Sequence, residues 1–294
     1  MRTVSIIGVG RMGGALALAL SAKGYTIENL VSRDLQKAAR IADLIGTRPN
    51  VLDAGDYAHI TSEIILITTQ DTEIAAVAHE LSTGRSGDPV VFHTSGSLSS
   101  AVLDALKTAG RRTGSLHPLI SISDPELGAE RFIGGYFCVE GMPGAVEVAR
   151  EIVADLGGKA FTIESRFKAL YHAAALITAG HVTALMDVAF ETMSKCGLTA
   201  EEAREVLMPL IRSTVGNLEV QPPERALTGT FARADGETFE RHLGSLKENM
   251  TGDIVEIYLQ LALRSLHLAE RNGVEMGQVE RLREKVLMAK SGIR

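Results

Sequence analysis

Residues 3–15 read TVSIIGVGRMGGA, and this stretch decides the fold. A short apolar run, typical of a strand, leads into a G-x-G-x-x-G turn, and an alanine- and leucine-rich helix pattern follows directly. The first glycine of such a turn permits the tight bend, the second lets the backbone approach a pyrophosphate, and the third lets helix and strand pack closely. The stretch therefore predicts a dinucleotide site at Gly8, Gly10 and Gly13, with Arg11 and Met12 at the helix N-terminus.

The rest of the first half alternates short β-rich runs with helical stretches, which is typical of βαβ units and a mainly parallel sheet. Strands are predicted near residues 3–8, 27–32, 63–69, 89–94, 113–116, 135–139 and 160–163. Asp34 and Asp71 are predicted to cap the helices that follow them, and Pro143 suits the first turn of another helix.

After Ile163 the pattern changes to long helices without a further strand. One helix is predicted over about 30 residues from Ser165, and Thr199 with Glu202 has the spacing of a capping box. Helices are also predicted near 236–250, 253–272 and 276–290, after a loop over 221–235. The predicted fold is α/β: a Rossmann domain with a doubly wound, mainly parallel sheet over residues 1–163, followed by an all-helical domain over 164–294.

Composition limits the environment and the partners. The chain has 294 residues and a net charge of -6, so two domains are expected and a nucleic-acid partner is not. Cys138 and Cys196, without CxxC spacing, indicate a reduced cytoplasmic compartment, and both are predicted to be buried. The first apolar run is too short for a signal peptide. The apolar stretch from Ala173 to Met186 is shorter than a membrane span and is interpreted as a buried helix, without a membrane partner.

The residues at the end of the second strand indicate which cofactor is bound. Many NAD-binding domains carry an acidic residue there for the ribose hydroxyls. This chain instead has Ser32 and Arg33, whose hydroxyl and guanidinium suit the 2′-phosphate of NADP. Asp34 keeps NAD open as the less favoured alternative, although its position suits a helix N-cap.

Polar side chains follow three other predicted strands. Because ligands of an open α/β sheet lie beyond the carboxyl ends of its strands, Thr69, Thr94 and Ser95 are predicted to contact the cofactor, and Ser97 the substrate. The alternative for Ser95 to Ser99 is a capped loop. His117 precedes a proline at a strand end, and its pKa range suits proton transfer.

Lys168 and His172 lie four residues apart at the start of the long helix and therefore share one face. Lys168 is a candidate to donate a proton or hold a carboxylate, and His172 to hydrogen-bond a carbonyl or hydroxyl. The alternative is an exposed first turn with solvated charges. The eight histidines show no metal-ligand spacing, so no metal is expected.

Five segments carry a family resemblance: GVGRMGG, HTSG, SLHPLISI, KALYHAAA and ALTGTFARAD. Together they resemble the paired Rossmann-like and helical domain proteins of the 6-phosphogluconate dehydrogenase-like superfamily, which includes pyrroline-5-carboxylate reductase, ketopantoate reductase and prephenate dehydrogenase. The Lys168 and His172 spacing looks like the Lys-x-x-x-Asn helix of ketopantoate reductase, with His in place of Asn. The turn at His117 looks like the His-Pro turn of prephenate dehydrogenase but continues differently. The specific activity of neither relative is therefore predicted for this chain.

The resemblance implies a homodimer formed through the helical domain, whose loops close over the active site. On that analogy residues 226–235 form a substrate loop in which Thr228 and Arg233 contact the substrate. Arg233 would clamp a carboxylate with its bidentate donors. The alternative is that Asp235 caps the next helix and Arg233 forms a surface ion pair.

The function expected from these features is an NADP-dependent oxidoreductase. It would transfer a hydride to or from a C=O or C=N carbon of a small anionic substrate, a carboxylate, with Lys168, His172 and His117 as catalytic residues. The alternative is a dinucleotide-binding sensor or scaffold protein without catalysis.

Overall fold

A computed structural model describes residues 2–84 and 87–292. The chain divides into two compact units, Met1–Gly180 and His181–Arg294. The first unit contains all the strands of the described residues, and the second is helical. The domain boundary predicted at residue 163 lies inside the first unit and remains a prediction.

One sheet organises the first unit. Its strands are β1 (Thr3–Ile7), β2 (Thr26–Ser32), β3 (Asn50–Asp53), β4 (Ile64–Ile67), β5 (Val90–His93), β6 (Arg112–Leu119), β7 (Tyr136–Gly141) and β8 (Lys159–Phe161). Their order is β3-β2-β1-β4-β5-β6-β7-β8, and all neighbours are parallel except β6 and β7. The direction of winding reverses between β1 and β4, where such sheets bind their ligand. The predicted Rossmann fold is confirmed.

Helices connect these strands: α1 (Arg11–Ala22), α2 (Leu35–Asp43), α3 (Asp71–Thr83), α4 (Asp104–Thr108), α5 (Pro125–Gly128), α6 (Pro143–Asp155) and α7 (Lys168–Thr178). Asp34 caps α2 as predicted, by accepting from the Lys37 amide, and Pro143 begins α6. The cap predicted at Asp71 is wrong. Gln70 is the N-cap of α3, and Asp71 is its first residue, because the Asp71 carboxylate accepts the Ser97 hydroxyl instead.

Alternating side chains of the central strands fill two apolar clusters. Ile6 belongs to the cluster that contains Leu16 of α1, while its neighbour Ile7 belongs to the cluster that contains Ile74 of α3. Successive side chains of a strand point to opposite faces, so helices cover both faces of the sheet. Each fully buried aliphatic side chain contributes roughly 1.5–3 kcal/mol relative to exposure.

A chain of hydrogen bonds lies near the amino-terminal edge of the strands. The Asn29 amide donates to the Ser5 hydroxyl at 2.8 Å, and the Asn29 carbonyl accepts from Asn50 at 3.2 Å. The Ser5 and Ser62 hydroxyls are 2.7 Å apart, and Ser62 donates to Glu28 at 2.5 Å. Glu28 is the residue of β2 that the pairing register with β1 skips. These contacts satisfy polar groups that the sheet buries.

The second unit is built from helices: α8 (Gly180–Lys195), α9 (Ala200–Val220), α10 (Pro223–Ala226), α11 (Gly236–Asn249), α12 (Gly252–Arg271) and α13 (Met276–Ser291). The capping box of Thr199 and Glu202 is present. The predicted loop over 221–235 is partly wrong, because it contains α10 and a 3-10 turn at Phe231–Arg233. Phe239, Leu259 and Leu282 belong to the apolar core shared by α11, α12 and α13.

The long apolar helix differs from its prediction in two ways. It is interrupted at Ala179, between α7 and α8. The stretch from Ala173 to Met186, expected to be buried, is mostly exposed in the single chain. By length and composition alone the segment Ser165–Lys195 could cross a membrane, and a single helix of this kind is weak evidence for a membrane span.

The two cysteines have different environments. Cys138 is buried in β7 as predicted, and its thiol is free. Cys196 is also free but exposed, so its predicted burial is wrong. It follows helix α8, none of whose residues is buried.

Candidate active site

The turn between β1 and α1 uses its three glycines in three different ways. Gly8 has a φ of +103°, and a Cβ there would lie 2.8 Å from the backbone carbon of Thr68. A Cβ on Gly13 would lie 2.1 Å from the Gly8 carbonyl oxygen. Around Gly10 the Cβ position has no neighbour within 4 Å. That open space fits a pyrophosphate approaching the backbone.

The first turn of α1 presents its amides without a side-chain cap. Gly10 is the N-cap and no side chain accepts a hydrogen bond from the turn. Exposed Arg11 and half-buried Met12 are the first helical residues. Because the free N–H groups and the helix dipole favour an anion, this turn suits a phosphate.

A cleft of about 490 Å³ extends from the glycine turn to the end of β2. Ser32, Arg33 and Lys37 line it, and the Arg33 guanidinium is 70% exposed. Arg33 forms an ion pair with Glu73 at 2.8 Å. Asp34 uses its carboxylate as a helix cap, which leaves a hydroxyl and two cations for a 2′-phosphate.

Lys37 was not identified from the sequence. The feature of the sequence that could have identified Lys37 is its position one turn into α2, three residues after the N-cap Asp34. A helix start that follows the second strand directs its early side chains toward the same cleft as the strand end, so this position could have been included.

The ends of β4 and β5 also contribute polar groups. The Thr69 hydroxyl is buried and has no hydrogen-bond partner among the described residues. Thr94 is half-buried and Ser95 is buried. Ser97 donates to Asp71 at 2.6 Å, and the Ser95 hydroxyl accepts from the backbone of Ser97, so the capped loop predicted as the alternative is present. An orphaned hydroxyl beside the glycine turn fits a bound polar ligand there.

Lys168 is 1% exposed. Its ammonium donates to the Ser115 hydroxyl at 2.9 Å and to the Ser95 carbonyl at 3.3 Å. The alternative of a solvated first turn is therefore wrong for Lys168. Burial lowers the pKa of Lys168 below its ordinary value, because desolvation disfavours the charged form.

Two histidine rings and a tyrosine meet next to Lys168. His117 Nδ1 and the Tyr171 hydroxyl are 2.7 Å apart. The rings of His117 and His172 lie edge to face, with centroids 5.8 Å apart. A Cβ on Gly96 would lie 2.5 Å from His172 Cδ2 and 2.7 Å from His117 Nε2. The backbone of the loop after β5 thus packs directly against both rings, and only glycine fits there.

The protonation of His117 follows from its surroundings. Burial, together with the charge of Lys168, lowers the pKa of His117 to about 3, so the ring is neutral near pH 7. The expectation that its pKa suits proton transfer is wrong for this state. Burial also raises the pKa of Tyr171, so its hydroxyl keeps its proton. The tautomer of the neutral His117 ring sets which group donates in the bond between Nδ1 and the Tyr171 hydroxyl, and Nε2 lies beside Gly96.

Two residues near this group, Tyr171 and Glu140, were not identified from the sequence. Tyr171 is three residues after Lys168, a spacing that brings side chains together on one helix face. Glu140 is buried in β7 and accepts from the Ser100 amide at 2.6 Å and the Ser165 hydroxyl at 3.0 Å. The feature of the sequence that could have identified Glu140 is a carboxylate near the end of an otherwise apolar strand.

A second cleft of about 420 Å³ adjoins these rings. His117, Tyr171 and His172 line it together with apolar residues, among them Leu119 and Ile120. None of its described lining residues is a lysine or arginine. This cleft therefore offers hydrogen bonds and apolar contact but no cation.

The predicted substrate loop lies in the second unit. Thr228 and Arg233 are both exposed. Asp235 caps α11 by accepting from the Thr238 amide, as the alternative interpretation predicted. Arg233 forms no ion pair within 4 Å among the described residues. The hydrogen bonds from Thr238 lower the pKa of Asp235, and the charge of Arg233 adds to this effect. The roles of Thr228 and Arg233 remain predictions. Among the described residues no group of three His, Cys, Asp or Glu side chains could hold a metal.

The fold, the glycine turn and the cleft at the end of β2 define a dinucleotide-binding Rossmann domain. Residues 3–96 match the family described as NADP oxidoreductase, coenzyme F420-dependent. Residues 135–265 match DUF2520, a domain of unknown function. Each of these two matches covers less than half of the chain; the first supports an NADP-dependent oxidoreductase, and the predicted cofactor is confirmed. No curated protein sequence matches the chain.

Solved structures share the fold at low sequence identity. A Bacteroides fragilis protein assigned as an NADP oxidoreductase is 22% identical, with a TM-score of 0.74 over 90% of this chain and 98% of that one. A Thermotoga maritima protein is 23% identical, with a TM-score of 0.69 over 91% and 98%. Plasmodium falciparum pyrroline carboxylate reductase, solved with NADP bound, is 14% identical, with a TM-score of 0.60 over 96% and 97%. These likenesses agree with the resemblance inferred from the sequence.

Proposed function

We propose that the protein transfers a hydride between NADP and the C=O or C=N carbon of a small carboxylate. The observation that carries the proposal is the group formed by Lys168, His117, Tyr171 and His172 around Gly96. It lies near the carboxyl ends of β5 and β6, where ligands of an open α/β sheet bind. NADP supplies or accepts the hydride when bound, and the side chains of the chain orient the substrate and handle its proton.

The proposed cofactor contacts follow the cleft from the glycine turn outward. Gly8, Gly10 and Gly13 with the amides of Arg11 and Met12 would hold the pyrophosphate. Ser32, Arg33 and Lys37 would hold the 2′-phosphate. The hydroxyls of Thr69, Thr94 and Ser95 would contact the nicotinamide half, and the unpartnered Thr69 hydroxyl supports this assignment.

Lys168 is proposed to donate the proton, and His117 and His172 are proposed to position the substrate. Lys168 is buried and hydrogen-bonded, so it is held in one position and would donate to the oxygen or nitrogen of the reacting bond. His117, neutral and fixed by Tyr171, would donate an Nε2 hydrogen bond that orients that atom. His172 faces His117 and would contact the substrate from the other side.

The substrate carboxylate needs a partner outside the second cleft, which has no lysine or arginine among its described lining residues. Arg233 is the proposed partner, since it is exposed and its guanidinium offers two parallel donors. Ser97 and Thr228 are proposed to assist. Keto and imino acids, each compared with its uncharged amide, test this assignment by their kcat/KM values.

Replacing Arg33 by alanine is expected to weaken NADPH binding about 10- to 100-fold and to leave NADH binding unchanged. A hydrogen bond to a charged group contributes about 1.5–3 kcal/mol, and the variant also leaves Glu73 unpaired beside the 2′-phosphate. Titrations of purified protein with NADPH and NADH, followed by cofactor fluorescence, measure both affinities.

Arg2 provides a matched control, because it is also a partly exposed arginine paired to a glutamate, Glu151. Arg2→Ala should leave both affinities unchanged. Equal weakening of NADPH and NADH in Arg33→Ala would count against the 2′-phosphate assignment. If the parent protein binds neither nucleotide, the proposed function fails at its first step.

We also propose a cytoplasmic homodimer formed through the helical unit. Val206 and Leu210, about one turn apart on α9, and Leu218, about two turns further along it, are exposed apolar residues. Exposed apolar patches of this kind mark association surfaces. A second copy of the chain would remove them from water, and the two free cysteines agree with a reducing compartment.

Changing Leu210 to glutamate is expected to convert the dimer to a monomer, because a carboxylate would then be buried in an apolar interface. Sedimentation velocity in buffer without detergent measures the oligomeric state. Leu127→Glu is the matched control, since Leu127 is 70% exposed and Leu210 63%, but Leu127 lies in α5 of the first unit. A parent protein that sediments as a monomer, or that requires detergent, would contradict the proposal.

A further inference from the structure

Two side chains of opposite charge are buried in the first unit. Lys168 is 1% exposed and Glu140 is 7% exposed, and no other Lys, Arg, Asp or Glu among residues 2–84 and 87–292 is buried to this degree. An ionised group taken out of water is costly unless an opposite charge or hydrogen bonds compensate it. The coincidence of one buried cation and one buried anion therefore needs an explanation.

A single serine adjoins both charges. Ser115 of β6 pairs with Glu140 of β7 across the antiparallel ladder, so their side chains project from the same face of the sheet. The Ser115 hydroxyl accepts from the Lys168 ammonium at 2.9 Å. Glu140 and Lys168 do not form an ion pair within 4 Å among the described residues; burial lowers the pKa of Lys168, and the negative charge of Glu140 acts in the opposite direction.

The Glu140 carboxylate also joins two segments that surround Lys168. One oxygen accepts from the Ser100 amide at 2.6 Å, in the loop after β5. The other accepts from the Ser100 hydroxyl at 2.9 Å and from the Ser165 hydroxyl at 3.0 Å. Ser165 is three residues before Lys168, at the start of the turn that leads into α7. Glu140 thus fixes the backbone from which Lys168 projects.

The remaining titratable groups around Lys168 do not supply a buried negative charge. Burial lowers the pKa of His93 to about 4 and the pKa of His117 to about 3, so both rings are neutral near pH 7. Burial raises the pKa of Cys138 and of Tyr171, so both keep their protons. Asp71 is exposed, which screens its charge.

We propose that Glu140 is a positioning residue, the buried counter-charge that keeps Lys168 protonated and holds the start of α7 in place. The catalytic consequence rests on the proposed function, because Lys168 is its proton donor. The coupling between the two charges does not depend on any activity.

A double-mutant cycle tests the coupling. E140Q keeps the shape and one of the two acceptor oxygens but removes the charge, and K168M removes the cation at similar length. Urea unfolding at pH 7, followed by circular dichroism, should show a folding equilibrium constant at least tenfold lower for E140Q. The double variant should lose clearly less than the product of the two single losses. If the loss in the double variant equals the product of the two single losses, the two charges are not coupled and the proposal is overturned.

Measuring stability at several pH values shows whether E140Q loses stability through the missing charge or through altered packing. The pKa of Lys168 is lower in the folded protein than in the unfolded chain. When the pH rises through the folded pKa, Lys168 loses its proton in the folded protein, and the cost of burying its charge disappears. The stability deficit of E140Q should therefore shrink as the pH rises from 7 to 10, and E140D should show a smaller deficit at pH 7. A deficit that does not change with pH would contradict the counter-charge.

Turnover measurements test the catalytic consequence of the proposal. NADPH binding by E140Q should equal that of the parent, while kcat falls at least tenfold and its alkaline limb moves to lower pH, since Lys168 then loses its proton earlier. A parental rate and pH profile in E140Q would overturn the positioning role. If the parent shows no turnover, the proposed function fails and the cycle still decides the coupling. Should E140Q not fold, recovery of folding in E140Q/K168M supports the pair and its absence overturns it.

Discussion

Replacing Gly13 by alanine is expected to lower the free energy of unfolding by about 3 kcal/mol and to abolish NADPH binding. The new Cβ would lie 2.1 Å from the Gly8 carbonyl oxygen and 2.4 Å from the Thr68 hydroxyl. The first contact is with backbone, so α1 must move away from β1 and their packing is lost, a change in the upper range of overpacking effects. Urea unfolding and NADPH fluorescence titration measure the two losses.

Gly10→Ala is the matched control, and its expected result is different. The Cβ position at Gly10 is open and the backbone there is extended, so stability should stay the same or rise by about 0.5 kcal/mol. NADPH affinity should nevertheless fall, because the methyl group fills the space needed by the pyrophosphate. Equal stability losses in both variants, or unchanged NADPH binding in Gly10→Ala, would contradict this division of roles.

Lys168→Met is expected to reduce turnover by about 10²- to 10⁴-fold, the usual contribution of a positioned general acid. NADPH affinity should remain within a few fold of the parent, since Lys168 does not line the cleft at the end of β2. Steady-state rates with the best substrate of the keto- and imino-acid screen, and a parallel NADPH titration, give both numbers.

Lys107→Met controls for the loss of a lysine as such. Lys107 is exposed in α4, so its replacement should change neither rate nor affinity. A Lys168→Met variant that binds NADPH and keeps the parental rate would remove Lys168 from the mechanism and leave His172 as the candidate proton donor.

Local signals were sufficient to predict most of the fold. Short apolar runs mark the buried strands, and the cap at Asp34 and the capping box at Thr199 depend only on residues within one turn. The strand β3 was missed because only Val51 and Leu52 of its four residues are apolar and it lies at the edge of the sheet. An edge strand that buries little carries almost no hydrophobic pattern.

Features that depend on long-range packing were not predictable in the same way. Lys168 and His172 were singled out by their spacing, but the burial of Lys168 depends on Ser95 and Ser115, more than 50 residues away in the chain. The lowered pKa of His117 depends on the same enclosure. The exposure of the apolar helix was missed because an apolar pattern predicts burial without saying whether the same chain or a second one covers it.

The hydrogen-bonded chain near the amino-terminal edge of the sheet has a consequence for how this protein can change over evolution. If β2 slipped by one residue, Asn29 would point to the opposite face and its amide would lose both Ser5 and Asn50. The alignment of the first strands is therefore specified at the edge away from the glycine turn. Substitutions at the carboxyl edge can then alter which molecule is bound while the strands stay in register, so a new specificity can arise without a new fold.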